Sequence, residues 1–308
     1  MASIMVKTLL LVALMTVAMA ASACGDSNPA SSKAVIGVVT TSNIAEDWVQ
    51  RIGGERVEVF SLVPPGADPH AFQPGARDVT RVADADVVFS MGLGLEEEWL
   101  KDLVSTAAAN TGAVIALGES ADPIIAGGQD TGIPDPHFWF DPLRVKLAIA
   151  EIGLTLTALD PAGAQEYRDN SITYLQELDD LHLRAQQIVT ELPADRRRLV
   201  TSHDSLAYFA FRYGFEVIGT VVPGVATDGE PSAREMADLI DLVKEHAIPA
   251  IFVENTTSGR LANRVAEEAG VTIVRSLYTG SLSAAGEGAD TYIDMMRANI
   301  FAIVEALQ

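Results

Sequence analysis

From Ala34 onward the chain alternates short runs rich in β-branched residues with longer stretches whose apolar positions recur every three to four residues. Ala34–Thr40, Val57–Val63, Asp86–Ser90 and Ala113–Leu117 read as strands, with helices at Ser42–Ile52, Asp78–Ala85 and Leu95–Asn110. Gly53-Gly54 stops the first helix and Pro64-Pro65 stops the second strand. The alternation resumes after Pro193. Strands are expected at Leu199–Ser202, Glu216–Val222, Ala250–Glu254 and Val271–Val274, and helices at Leu206–Tyr213, Ser232–Glu245, Gly259–Ala269 and Thr291–Leu307. Strand and helix in alternation predict an α/β fold whose sheets are mainly parallel and covered by helices.

The middle has a different texture. Pro142–Leu159 reads as one helix, and after Asp160-Pro161 a pattern without internal proline runs from Ala162 to about Leu192. Ile172, Leu175, Leu178, Leu181 and Ile188 keep helical spacing, with charges between them. A helix of about 30 residues is roughly 45 Å long, which suits a rigid strut. The expected organisation is an α/β lobe over 34–160, a linking helix over 161–194 and a second α/β lobe over 195–308. The two lobes read as similar halves.

The chain begins differently. Lys7 is followed by an apolar run, Thr8 to Ala20, and then by Ala21-Ser22-Ala23 and Cys24. The run is too short to span a bilayer, and small residues beside a cleavage point read as a signal peptide, residues 1–23. A cysteine directly after those small residues resembles a bacterial lipobox, so Cys24 is the expected lipidation site. Residues 24–33, polar and small, then serve as a flexible tether. Cys24 is also the only cysteine, so an intrachain disulfide is impossible.

Charge narrows the partners. The net charge is −21, with 42 acidic against 21 basic residues. Such a surface repels phosphate backbones, and no nucleic-acid partner is expected.

The candidate chemistry lies in five histidines. His70 and His137 each follow Asp-Pro, in Pro64-Pro-Gly-Ala-Asp-Pro-His-Ala-Phe-Gln-Pro74 and Pro134-Asp-Pro-His-Phe-Trp-Phe-Asp-Pro142. His203 follows a strand, in Val200-Thr-Ser-His-Asp-Ser205. Ligands of open α/β sheets bind at the carboxyl ends of strands, so three such segments could converge between the lobes. Imidazole favours zinc and its late first-row neighbours. Each histidine taken alone fits a hydrogen-bonded core or turn residue better than a ligand, and the repeated Asp-Pro-His sequence narrows that margin. His182, among Asp179, Asp180 and Arg184, reads as a solvated surface residue, and His246 as a water-facing residue at a helix C-terminus.

These three segments resemble the zinc- and manganese-binding solute-binding lipoproteins of ABC transporters, the ZnuA/TroA-like group (cluster A-I). Ala83-Asp-Ala-Asp-Val-Val-Phe89, Gly92-Leu-Gly-Leu-Glu96 and Asp290-Thr-Tyr-Ile-Asp294 match the same group in texture. The resemblance implies two lobes bridged by a long helix, with a metal ion in the cleft on His70, His137 and His203. It implies a membrane permease as partner and an extracytoplasmic, membrane-anchored location. A monomer is expected, and hinge opening limited by the long helix. The group's fourth ligand is an Asp or Glu, and here Gly280 stands at that place, in Leu277-Tyr-Thr-Gly-Ser-Leu282. Water, Asp228, Glu230 or Glu254 could complete the site. Three histidines without a carboxylate favour Zn2+ over Mn2+. Zinc affinity should fall as the imidazoles protonate below about pH 6.5. An open three-histidine centre also fits a zinc-dependent hydrolase, with Glu230 or Glu254 as base, but no His-Glu-x-x-His helix is present. A surface adhesin of the same fold is a further alternative. The expected function is therefore capture and delivery of a metal, without catalysis.

Overall fold

Among the described residues, eight strands build two four-stranded parallel sheets, each flanked by helices. A computed structural model describes residues 35–107, 112–126, 132–257 and 259–308. The leader, Cys24 and the tether lie outside the described residues. In the first sheet β1 (Ile36–Thr40), β2 (Val57–Ser61), β3 (Val87–Ser90) and β4 (Ala113–Ala116) are ordered β2-β1-β3-β4. In the second, β5 (Arg198–Thr201), β6 (Glu216–Thr220), β7 (Ala250–Glu254) and β8 (Thr272–Leu277) are ordered β6-β5-β7-β8. The strand order is the same in both halves, as the repeated texture of the sequence implied.

Helices α1 (Asn43–Gly53), α2 (Ala76–Asp84) and α3 (Glu97–Ala107) belong to the first half. Helices α6 (Ala207–Tyr213), α7 (Ala233–Glu245), α8 (Arg260–Ala269) and α9 (Tyr292–Leu307) belong to the second. Between them run α4 (Pro142–Leu159) and the 27-residue α5 (Ala164–Thr190), about 40 Å long. Local chemistry sets the helix starts. The Ser42 hydroxyl accepts from the Ile44 N–H at 3.1 Å to begin α1, and the Asp141 carboxylate accepts from the Leu143 N–H at 3.0 Å to begin α4. Pro142 then sits at the first turn, where its missing N–H costs nothing.

The long helix is more than a spacer. It buries Tyr167, Tyr174, Leu178, Leu181, Ala185 and Val189, and packs on α1 of the first half, on α4 and on α9 of the second half. One continuous apolar core links Trp48, Phe138, Tyr174, Leu199, Phe252 and Tyr292, so both inner sheet faces share it. Each sheet has a separate, smaller core on its other face. Two lobes fused through one core resist wide opening, because separation would expose that apolar surface to water.

His182 departs from the sequence reading. It is half-buried, its ring lies 5.8 Å from that of Tyr213, and burial lowers its pKa. The helix face it occupies turns toward α6, which the flanking charges concealed. His246 caps the C-terminus of α7.

Candidate metal centre

A 2-1-3-4 strand order places a crevice at the carboxyl ends of its two central strands, where the connections leave in opposite directions. The two halves use that crevice differently. In the first half it is closed by the buried Glu96. Its carboxylate accepts from the Met91 N–H at 2.8 Å, the Gly92 N–H at 3.0 Å and the Thr41 hydroxyl. In the second half His203 follows β5 and faces Glu254, the last residue of β7. The His203 Nδ1–H donates to Glu254 Oε1 at 2.5 Å, and the His203 backbone N–H donates to the same oxygen at 3.1 Å.

His70 comes from the loop after β2 and His137 from the segment before α4. The repeated Asp-Pro-His sequence has a common geometry. Asp68 Oδ1 accepts from the His70 N–H and Asp135 Oδ1 from the His137 N–H, each at 2.9 Å. These are two-residue Asx-type turns, with the intervening proline fixing φ. At His137 the carboxylate does more: Nδ1–H also donates to Asp135 Oδ1, at 2.8 Å. His137 and His203 therefore each have Nδ1 tied to a buried carboxylate and Nε2 left free to face inward. That arrangement fixes tautomer and ring orientation.

The three Nε2 atoms converge. His137 Nε2 lies 3.3 Å from His70 Nε2 and 3.2 Å from His203 Nε2. Nitrogens bound tetrahedrally at about 2.0–2.1 Å from zinc stand about 3.3 Å apart, so both His137 spacings fit ligands of one ion. Among the described residues, these three histidines form the only group of three or more histidine, cysteine or acidic side chains whose ligand atoms all lie within 4.8 Å of one another.

The proposed extra ligands are not part of that group. Glu254 is turned away, with Oε1 on His203 and Oε2 accepting from the Thr279 hydroxyl at 2.8 Å. It stands behind a histidine, as Asp135 does. Asp228 and Glu230 are exposed on the loop after β6 and line a cavity of about 330 Å³ beside His203. Gly280 packs against the Pro69 ring: a Cβ built there would stand 2.9 Å from Pro69 Cδ.

The surrounding residues hold the segments to one another. Helix α6 grips the His137 segment at both ends. The Tyr208 hydroxyl donates to the Asp135 carbonyl at 2.7 Å, and Arg212 makes a bidentate pair with Asp141 at 2.8 and 2.7 Å. The Trp99 indole N–H donates to the Pro69 carbonyl at 2.9 Å, and the Thr227 hydroxyl reaches across the cleft to Asp68 Oδ2 at 2.6 Å. His137 and His203 are almost fully buried, at 1% and 2% exposure, and His70 is the one with partial access to solvent.

Burial sets the proton affinities. It holds His70 down to about 2, helped by the charges of His137 and His203, and it pushes His137 well below the ordinary imidazole value. Burial also acts downward on His203, but the Glu254 charge and hydrogen bond outweigh it and the net shift is upward. Asp135 is raised to about 7 by burial, with Oδ2 lacking any partner in the protein. Asp135, Thr279 and Arg212 were not singled out in the sequence. The one readable signal was Asp at two residues before His70 and His137, an Asx-turn spacing.

The family model described as the periplasmic zinc-uptake complex component A, ZnuA, matches residues 38–306. The chain is similar to the manganese-binding lipoprotein MntA of Halalkalibacterium halodurans, 35% identical over 296 residues and 96% of each chain. It is also similar to the metal ABC transporter substrate-binding lipoprotein FimA of Streptococcus parasanguinis, 32% identical, covering 92% of this chain and 93% of the other. Among solved structures, the periplasmic zinc-binding protein TroA from Treponema pallidum superposes with a TM-score of 0.82 at 31% identity, covering 88% of this chain and 99% of that one.

Proposed function

Because the chain belongs to the ZnuA family of metal-binding components of ABC transporters, we propose that it captures one transition-metal ion on His70, His137 and His203 and delivers it to a membrane permease. The observation that carries this reading is the convergence of three imidazoles whose ligand atoms lie within 4.8 Å of one another, with His137 Nε2 3.3 Å from His70 Nε2 and 3.2 Å from His203 Nε2. One chain supplies all three nitrogens, so the site needs no second copy. Water is the fourth ligand in this reading, since Glu254 is engaged with His203 and Asp228 and Glu230 are exposed.

The cargo is zinc ahead of manganese. MntA of H. halodurans is named for manganese and TroA of T. pallidum for zinc, so kinship alone leaves both open. The donor chemistry supports zinc: three imidazoles without a carboxylate suit it, whereas manganese favours oxygen. The test is metal analysis of protein purified without added metal, followed by zinc–manganese competition. One zinc per chain, displaced by manganese only in large excess, is expected; tighter manganese binding would reverse the assignment.

Carrier fits better than enzyme. The relatives are named as binding proteins, and Glu254, one of the two candidate bases, is bonded to His203 Nδ1. Neither the hydrolase nor the adhesin reading is favoured. The working division is a leader over 1–23, a lipidated tether over 24–33, lobes over 34–160 and 195–308, and the linking helix over 161–194. The names of the lipoprotein relatives support an extracytoplasmic, membrane-anchored location. Cys24→Ala should shift the protein from the membrane fraction to the soluble one. Unchanged fractionation would mean that Cys24 is not the anchor.

A further inference from the structure

The turn after β8, Thr279-Gly280-Ser281, touches the His70 and His137 segments and reaches His203 through Glu254, without offering a ligand. Thr279 and Ser281 are buried polar residues, at 1% and 0% exposure, so their hydrogen bonds are costly to lose. Thr279 has two roles. Its hydroxyl donates to Glu254 Oε2 at 2.8 Å, behind His203, and its carbonyl accepts from the Trp139 indole N–H at 2.7 Å. The Trp139 ring lies edge-on to the His137 ring, with centroids 5.1 Å apart. Ser281 Oγ accepts from the Gly66 N–H at 2.8 Å, at the start of the His70 loop. Gly280 sits between them under Pro69, the residue before His70, where any Cβ would press on the proline ring.

We propose that Thr279-Gly280-Ser281 is the positioning turn of the metal site, and that Thr279 is its principal residue. It acts on His203 through Glu254 and on His137 through Trp139, and so sets the spacing between these two imidazoles. Gly280 sets the approach of the third by letting Pro69 come close. This inference rests on the reading of the three histidines as the metal site. Its physical basis is that a metal ligand's orientation is fixed by the partner on its other nitrogen, and that partner's orientation by its own hydrogen bonds. Without the Thr279 hydroxyl, Glu254 Oε2 has no donor in a buried place and the carboxylate is free to turn. His203 then loses the acceptor that keeps Nε2 facing His137.

The experiment uses the full chain carrying Thr279→Val, Thr279→Ser or Gly280→Ala. Zinc affinity is measured by competition with a chromophoric chelator, and coordination by the visible spectrum of the cobalt(II)-loaded protein. Thr279→Val should weaken zinc binding by about 10–100-fold, the usual loss on removing an outer-shell partner, and should change the cobalt spectrum. Thr279→Ser keeps the hydroxyl and should restore both. A purely structural hydroxyl would lower thermal stability and leave the cobalt spectrum unchanged; that result, or parental zinc affinity in Thr279→Val, overturns the proposal. Should Thr279→Val not fold, Gly280→Ala decides: its methyl displaces Pro69 and His70, so an unchanged affinity there overturns it as well. Failure of the unaltered protein to bind zinc would be a different result. It would remove the metal-site reading itself, and this inference with it.

Discussion

Replacing His137 with alanine is expected to abolish high-affinity zinc binding and to lower the stability of the metal-free protein as well. In the proposed site His137 is the central ligand, its Nε2 3.3 Å from His70 Nε2 and 3.2 Å from His203 Nε2. An outer partner is worth about 10–100-fold in affinity, and a direct ligand should exceed that. The stability cost has a separate origin. The imidazole is 1% exposed and its Nδ1–H donates to Asp135 Oδ1. Alanine leaves that oxygen with only the backbone N–H, beside an Oδ2 that already lacks a partner. An orphaned buried polar group costs about 1–3 kcal/mol. His70→Ala separates the two effects. His70 is less buried, and its side chain is not what holds Asp68, which bonds to the His70 backbone N–H and to Thr227. It should therefore lose zinc binding with little change in metal-free stability. Chelator competition and thermal unfolding with and without zinc measure both. Wild-type zinc affinity in either variant would end the three-histidine assignment.

Periodicity carried most of the fold. Each strand and helix expected from apolar spacing has a counterpart: the central strands β1, β3, β5 and β7 are buried continuous runs, the outer strands are part-exposed, and the helices bury apolar faces. The long helix was legible because proline is absent between Ala162 and Leu192. The three histidines were visible as a set because two share Asp-Pro-His and the third ends a strand. What lay beyond reach was tertiary. Glu254 as the last residue of β7 read as a possible ligand. Only the adjacency of β5 and β7 shows that its carboxylate meets His203 from the Nδ1 side. The partners that Arg212 and Tyr208 find on the His137 segment come from far along the chain, and nothing local encodes them. His182 was misplaced for the same reason: its neighbours in sequence are charged, but its neighbour in space is Tyr213.

Zinc binding should release one to two protons in mildly acidic solution, not three. Three independent imidazoles titrating near pH 6.5 would each compete with the metal. Affinity would then fall about a thousandfold per pH unit in acid, ten per proton. The folded site differs. Burial, reinforced by the neighbouring imidazoles, holds His70 to about 2 and His137 well below the ordinary range, so both offer lone pairs throughout the physiological range. His203 moves the other way because Glu254 outweighs burial, and it keeps a proton that the metal must displace. Asp135 is raised to about 7, chiefly by burial, and so carries a second proton below that pH. A cation on His137 Nε2 favours the ionised Asp135 behind it and expels that proton too. The affinity should therefore fall by about ten- to a hundredfold per pH unit between pH 5 and 6. Calorimetric titration in buffers of different ionisation enthalpy counts the protons directly. Release of three per zinc at pH 5.5 would mean that His70 and His137 are not held neutral by the fold.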